Sequence, residues 1–172
     1  IPQMLYEQGL VEVVFKKFAK VGYVNASENW DTWNTIVNSL QITENPIKIA
    51  MVGKYVTLAD SYVSVNEALK HATASINSSV SIDWIDSETL NGNIKKLSEY
   101  QGILVPGGFG TRGSEGIIET ASFALEQNIP FLGICFGFQL AAVSFGRSIC
   151  KLEEANSTEI SADTAYPIIA LL

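Results

Sequence analysis

The sequence is poor in the residues that carry metal and disulfide chemistry. It has one histidine, His71, and two cysteines, Cys135 and Cys150, among 172 residues. Two cysteines do not make a disulfide framework. With no CxxC pair and no Cys/His cluster, neither zinc nor any other metal site is expected. Basic residues are scarce too: 11 Lys and Arg against 18 Asp and Glu leave a net charge of −7. That leaves no basic excess to displace counterions, so nucleic acid is not an expected partner. No apolar run is long enough to span a membrane. Ile1-Pro2-Gln3-Met4 is not a charged region leading into an apolar one, so no signal peptide is read there. Free thiols and these absences fit a cytoplasmic protein. Apolar residues are abundant at 47%, enough for the core of one α/β domain with a flanking segment. The chain starts at Ile1 and closes on the apolar Ile168-Ile169-Ala170-Leu171-Leu172 with no following turn. Both ends read as cuts through a longer polypeptide.

Along the chain, residues 1–20 carry Leu5, Val13, Val14 and Phe18 at roughly helical spacing, interrupted by Gly9. Residues 21–45 are polar and aperiodic and read as a linker, which a short helix carrying Trp30 and Trp33 could pin to a neighbour. From residue 46 the texture changes. Ile47–Gly53 reads as a strand, and residues 61–76 as a helix with Ser64 and Glu67 at capping-box spacing. Val80–Ile85 alternates as a strand does, and a weaker helix is expected over 93–100. Gly102–Val105 and residues 131–134 are continuous apolar runs and read as buried strands. Helices are expected over 115–127, stopped by Asn128 and Pro130, and over 137–145, closed by Gly146. Alternating strands and helices predict an α/β fold: a mostly parallel central sheet with helices on both faces. Sites in such sheets lie beyond the carboxyl ends of the strands.

Two glycine-rich loops fall at such ends. Gly133-Ile134-Cys135-Phe136-Gly137 has the form G-x-C-x-G between strand and helix, the cysteine counterpart of a nucleophile elbow. The turn is so tight that side chains on either flank would collide, which explains the glycines. Cys135 would sit at a helix N-terminus, where free N–H groups favour thiolate, and the Phe136 N–H would face a developing oxyanion. A small buried cysteine explains the pattern as well, and the motif alone leaves both readings open. The second loop is Pro106-Gly107-Gly108-Phe109-Gly110-Thr111-Arg112-Gly113. Its glycines let N–H groups converge on an anion, and Gly108 N–H could be a second oxyanion donor. It is neither a Walker A loop nor G-x-G-x-x-G, and a flexible turn is the bland alternative. Arg112 could bind a phosphate or carboxylate, or be solvated. His71 on a helix face and Cys150 after a helix both read as structural.

Taken together, three stretches carry a resemblance: Val105–Gly113, Leu132–Gln139 and Ala155-Asn156-Ser157-Thr158-Glu159. With Val52-Gly53-Lys54-Tyr55 and the Arg112–Gly116 extension, they resemble the class I (triad) glutamine amidotransferase domain of the CTP synthase family, a flavodoxin-like fold. Residues 1–20 are similar to the tail of that family's synthetase domain, 21–45 to its interdomain linker, and 46–172 to the amidotransferase domain. The resemblance implies ATP-dependent amination of UTP to CTP with ammonia from L-glutamine. It implies that Cys135 attacks the glutamine amide through a thioester, with Gly108 and Phe136 as oxyanion donors. Gly108, Phe136, Gly137, Phe138, Gln139 and Glu159 would hold the glutamine. Gly110, Arg112, Gly113 and Glu115 would lie near the region through which GTP acts as effector. ATP and Mg²⁺ would belong to the synthetase domain, outside these residues, and the family assembles as a homotetramer. Phe136 and Phe138 stand where the family usually has Leu and Met. The family's downstream His-x-Glu motif is absent from these residues, so this segment alone is expected to be inactive or very slow. The competing expectations are an amidotransferase domain of another synthetase, or a non-catalytic regulatory or assembly module.

Overall fold

The computed structural model describes residues 1–18, 27–41, 44–54, 59–90 and 92–170, without the side chains of 27–29 and 59–60. Parts of the expected linker, Tyr55 and the terminal Leu171-Leu172 therefore lie outside the described residues.

The apolar run after residue 46 forms β1 (Ile47–Gly53). Three more strands join it: β2 (Val80–Asp86), β3 (Gly102–Val105) and β4 (Phe131–Gly133). All pairings are parallel, in the order β2-β1-β3-β4. Parallel neighbours require crossovers, and helices supply two of them. α4 (Val63–Ala74) leads from β1 to β2, and α5 (Ser114–Gln127) from β3 to β4. The order doubles back at β1 and β3, a switch point at which loops diverge. Strand residues alternate between faces. On one face Ala50, Val52, Ile103 and Val105 pack with Ile117 and Ile118 of α5 and with Phe136, Leu140 and Val143 of α6 (Phe136–Ser148). On the other, Ile49 and Leu104 share a cleft with Leu69 of α4. The expected α/β architecture, a parallel sheet with helices on both faces, is what the chain adopts. Beyond it, β5 (Ala155–Ser157) and β6 (Tyr166–Ile169) form a separate two-stranded parallel sheet against α6.

Several local expectations are corrected. β4 is an edge strand, not a buried one: it ends the strand order next to β3, and Leu132 is 55% exposed. Ser64 is not a helix cap. A 3₁₀ turn over Ala59–Tyr62 runs directly into α4, Tyr62 takes the cap position, and no side chain caps the end. The expected helix over 93–100 is a 3₁₀ segment, Ile94–Glu99. Gly146 does not close α6, which continues to Ser148. The glycine instead lets the helix lie against Ala155 and Ile168. Cys150, read as structural, lies exposed in the turn after α6.

The N-terminal segment folds as α1 (Pro2–Glu7) and α2 (Leu10–Lys17), separated as expected at Gly9, which is left-handed (φ 77°). Neither helix contains a buried residue. The linker region holds a longer helix than its texture suggests, α3 (Ser27–Ser39). Its Trp30 ring lies 4.6 Å from that of Tyr6, and Ser39 Oγ donates to Asn77 Oδ1 at 2.9 Å, fastening α3 beside the end of α4.

Candidate functional site

Three backbone ends meet at the carboxyl edge of the sheet: the end of β1 at Lys54, the loop after β3, and the turn after β4. The last is the G-x-C-x-G segment. Cys135 has φ 53° and ψ −107°, a conformation that costs a non-glycine residue of order 1–3 kcal/mol and survives only where its surroundings impose it. The surroundings do so. Ile134 N–H donates to Val105 O at 2.9 Å, locking the turn to β3. A Cβ on Gly133 would stand 2.6 Å from Gly137 C, and one on Gly137 would stand 2.3 Å from Val105 O. Both glycines are thus required by backbone they cannot push aside. The cysteine, at the N-cap of α6, is exposed, so the buried-core explanation of this residue fails. The first helical residue, Phe136, is buried, while Phe138 is exposed.

The Pro106–Gly113 loop lies over this elbow. Gly107 faces Cys135, whose Cβ would be 3.8 Å from a Cβ placed there. Gly108 faces Phe136, with 3.6 Å to Cδ1. Gly110 is left-handed (φ 76°), and its N–H donates to Glu159 Oε1 at 2.8 Å. The structure therefore brings together three separate stretches of sequence: Gly108 and Gly110, Cys135 with Phe136 and Gly137, and Glu159. Glu159 is positioned from below by Ser157, whose Oγ accepts the Glu159 N–H at 3.2 Å.

Arg112 and Glu115 are already engaged. Arg112 donates to Glu88 Oε2 at 3.1 Å and to Lys54 O at 3.0 Å. It braces the loop against the β1 and β2 ends while more than half of its side chain stays exposed. Gly113 caps α5 in the left-handed region (φ 65°). Glu115, one residue into α5, pairs with Arg147 at 2.7 Å. Arg147 Nε also donates to Ala155 O at 2.7 Å, so this pair ties α5 and α6 to β5.

Sequence reasoning gave Lys54 no role. Its side chain is almost wholly buried, only 7% of the residue being exposed. The ammonium donates to Phe109 O at 2.9 Å and to Gly110 O, and lies 4.2 Å from the centre of the Phe136 ring. Burial pulls its pKa below the ordinary lysine value, opposed by the charge of Glu159 and reinforced by Arg112. The available signal was its place: a charged residue directly after a buried strand, at the switch point. His71 is not brought to Cys135. It is exposed near the C-terminal end of α4, and in a parallel crossover that end lies toward the opposite edge of the sheet. Among the described residues no cluster of His, Cys, Asp and Glu could hold a metal ion, and no helix is long and apolar enough to cross a membrane.

A sequence model of the family "Glutamine amidotransferase class-I" matches residues 57–164. The chain is 43% identical over 173 residues to a CTP synthase of Thermococcus kodakarensis and 47% identical over 173 residues to one of Moorella thermoacetica. Each match takes in 100% of this chain and 32% of the relative, so the chain spans about a third of the length of the curated relatives it matches. Among solved structures, it is similar to the glutaminase domain of Trypanosoma brucei CTPS with bound acivicin. That match has a TM-score of 0.68 and 33% identity, over 73% of this chain and 50% of the other.

Proposed function

The chain belongs to the class-I glutamine amidotransferases, and from that premise we propose that it is the glutamine-hydrolysing domain of a CTP synthase. The observation that carries the reading is the backbone of Cys135, forced by Gly133 and Gly137 into a conformation that presents its thiol at the sheet edge. Cys135 Sγ attacks the side-chain amide carbon of glutamine, and the N–H groups of Gly108 and Phe136 hold the resulting oxyanion. The tetrahedral intermediate collapses, the C–N bond breaks, and the nitrogen leaves as ammonia carrying the proton that the thiol gave up. Water then cleaves the γ-glutamyl thioester to glutamate and restores the thiol. Gly137, Phe138 and Gln139 line the substrate, and Glu159 reads its ammonium group.

The ammonia supplies ATP-dependent amination of UTP in a synthetase domain, of which residues 1–20 are the tail and 21–45 the linker to 46–172. The exposed apolar surfaces of Val13 and Val14 in α2 and of Phe18 at its C-cap support that assignment. In this reading ATP and Mg²⁺ bind in that synthetase domain, and among the described residues no cluster of His, Cys, Asp and Glu could hold the metal. His71 is misplaced as a base for Cys135, so these 172 residues by themselves hydrolyse glutamine slowly or not at all. For GTP to act through Gly110, Arg112, Gly113 and Glu115, Arg112 exchanges its Glu88 partner for phosphate. The homotetramer belongs to the same proposal.

The test is CTP formation by the full-length protein with glutamine or with ammonia as nitrogen donor. Cys135→Ala should abolish the glutamine-dependent reaction, by a factor on the order of 10³ or more, and spare the ammonia-dependent one. Undiminished glutamine-dependent activity in that variant refutes the reading. Glutamine hydrolysis without CTP formation moves it to another synthetase.

A further inference from the structure

We propose that Lys54 is a positioning residue: its buried ammonium clamps the Phe109–Gly110 backbone onto the elbow and so fixes the Gly108 N–H against Cys135. The inference rests on the glutaminase reading above. The ammonium has two acceptors, the consecutive carbonyls of Phe109 and Gly110, and one aromatic face, the Phe136 ring at 4.2 Å. The loop and the first residue of α6 are thereby joined through a single side chain anchored at the end of β1. Gly110 is held at both ends, its N–H by Glu159 Oε1 and its carbonyl by Lys54. This leaves a left-handed glycine with little freedom to turn its peptide planes. The neighbouring Gly108 lies against Phe136, so a rotation at 109–110 would re-aim its N–H. Oxyanion donors act only when they are aimed beforehand at the charge that develops.

An ammonium is a poor choice for stability at this place. It must be desolvated, and an apolar side chain of similar shape generally serves a core as well or better. Glycines confer mobility, and a loop with Gly107, Gly108, Gly110 and Gly113 needs an external hold if it is to keep one geometry. The Phe136 ring adds a contact available to an aromatic side chain and not to an aliphatic one at this position.

The experiment compares wild type, Lys54→Met and Phe136→Leu in the full-length protein. Amide hydrogen exchange over residues 107–110 reads the clamp. Inactivation by 6-diazo-5-oxo-norleucine, resolved into binding (KI) and chemical (kinact) parts, reads its consequence at Cys135. Lys54→Met should unfold within about 4 °C of wild type, exchange its loop amides roughly tenfold faster, and lose about tenfold to a hundredfold in kinact with KI nearly unchanged. Phe136→Leu should shift loop exchange in the same direction by less. Loop exchange or kinact unchanged in Lys54→Met overturns the proposal. A Lys54→Met protein that cannot fold does so too, because the ammonium would then be holding the core. A wild type that takes no label at Cys135 refutes the glutaminase reading instead, and the clamp still stands or falls on loop exchange.

Discussion

Replacing Gly137 by alanine should break the elbow even though alanine is the better helix former. Gly137 lies in the first turn of α6, where helix propensity alone predicts a gain of about 1 kcal/mol. The added methyl would stand 2.3 Å from Val105 O, 2.8 Å from Val105 Cγ1 and 2.9 Å from Val105 C. Reaching ordinary contact requires a shift of roughly 1 Å. Neither side yields easily: Val105 is fully buried in the central strand, and its carbonyl accepts the Ile134 N–H that fixes the turn. Overpacking against a rigid core costs about 1–3 kcal/mol and occasionally more. Two of the three clashes here involve backbone, so we expect a net loss of about 3 kcal/mol at the upper end of that range. At roughly 2–4 °C per kcal/mol for a chain of this size, the Tm should fall by about 6–12 °C. Gly146→Ala is the internal control in the same helix. Its methyl would meet only the side chains of Ala155 and Ile168, at 3.3 Å, and its effect should stay within about 1 kcal/mol of zero. Thermal unfolding by circular dichroism compares the two. A Gly137→Ala protein as stable as wild type would refute the steric account of the elbow.

Glu159→Gln keeps an acceptor for Gly110 N–H but removes the charge proposed to read the substrate ammonium. The KM for glutamine should rise roughly 10- to 100-fold, the worth of a charged hydrogen bond, with the Tm little changed; an unchanged KM contradicts the assignment. Tyr100 has its pKa raised to about 12, by desolvation first and then by donating to Asp83 Oδ2 at 2.9 Å. Between pH 10.0 and about 12 the folded chain keeps a proton that the unfolded chain releases. Stability should therefore fall as pH rises through that window. Tyrosinate absorbance should show a late-titrating tyrosine, which Asp83→Asn moves down.

The sheet and the elbow were largely legible because their causes are local. A buried parallel strand must be an apolar run, as β1 and β3 are, and a strand-to-helix turn this tight must have glycine on both flanks of Cys135. What escaped depends on tertiary placement. Nothing in Phe131-Leu132-Gly133 says that its second face is open, since an edge strand and a central one can have the same composition. Gly146 reads as a stop until β5 and β6 are seen to pass where a side chain would be. Ser64 has the spacing of a cap, but the preceding 3₁₀ turn starts the helix one residue earlier. Lys54 was the largest omission, because a lysine in sequence reads as surface. Its burial depends on two carbonyls of a loop more than fifty residues away and on the ring of Phe136.

The central claim is that geometry, not mere exposure, makes Cys135 the nucleophile, and the chain carries its own control. Cys135 and Cys150 are both exposed, but only Cys135 stands on the elbow. The most direct measurement is peptide mass spectrometry of the full-length protein after treatment with 6-diazo-5-oxo-norleucine, with and without excess glutamine. The account predicts an adduct on the Cys135 peptide that glutamine suppresses, and none on Cys150. An unlabelled Cys135, or equal labelling of both cysteines regardless of glutamine, would contradict it.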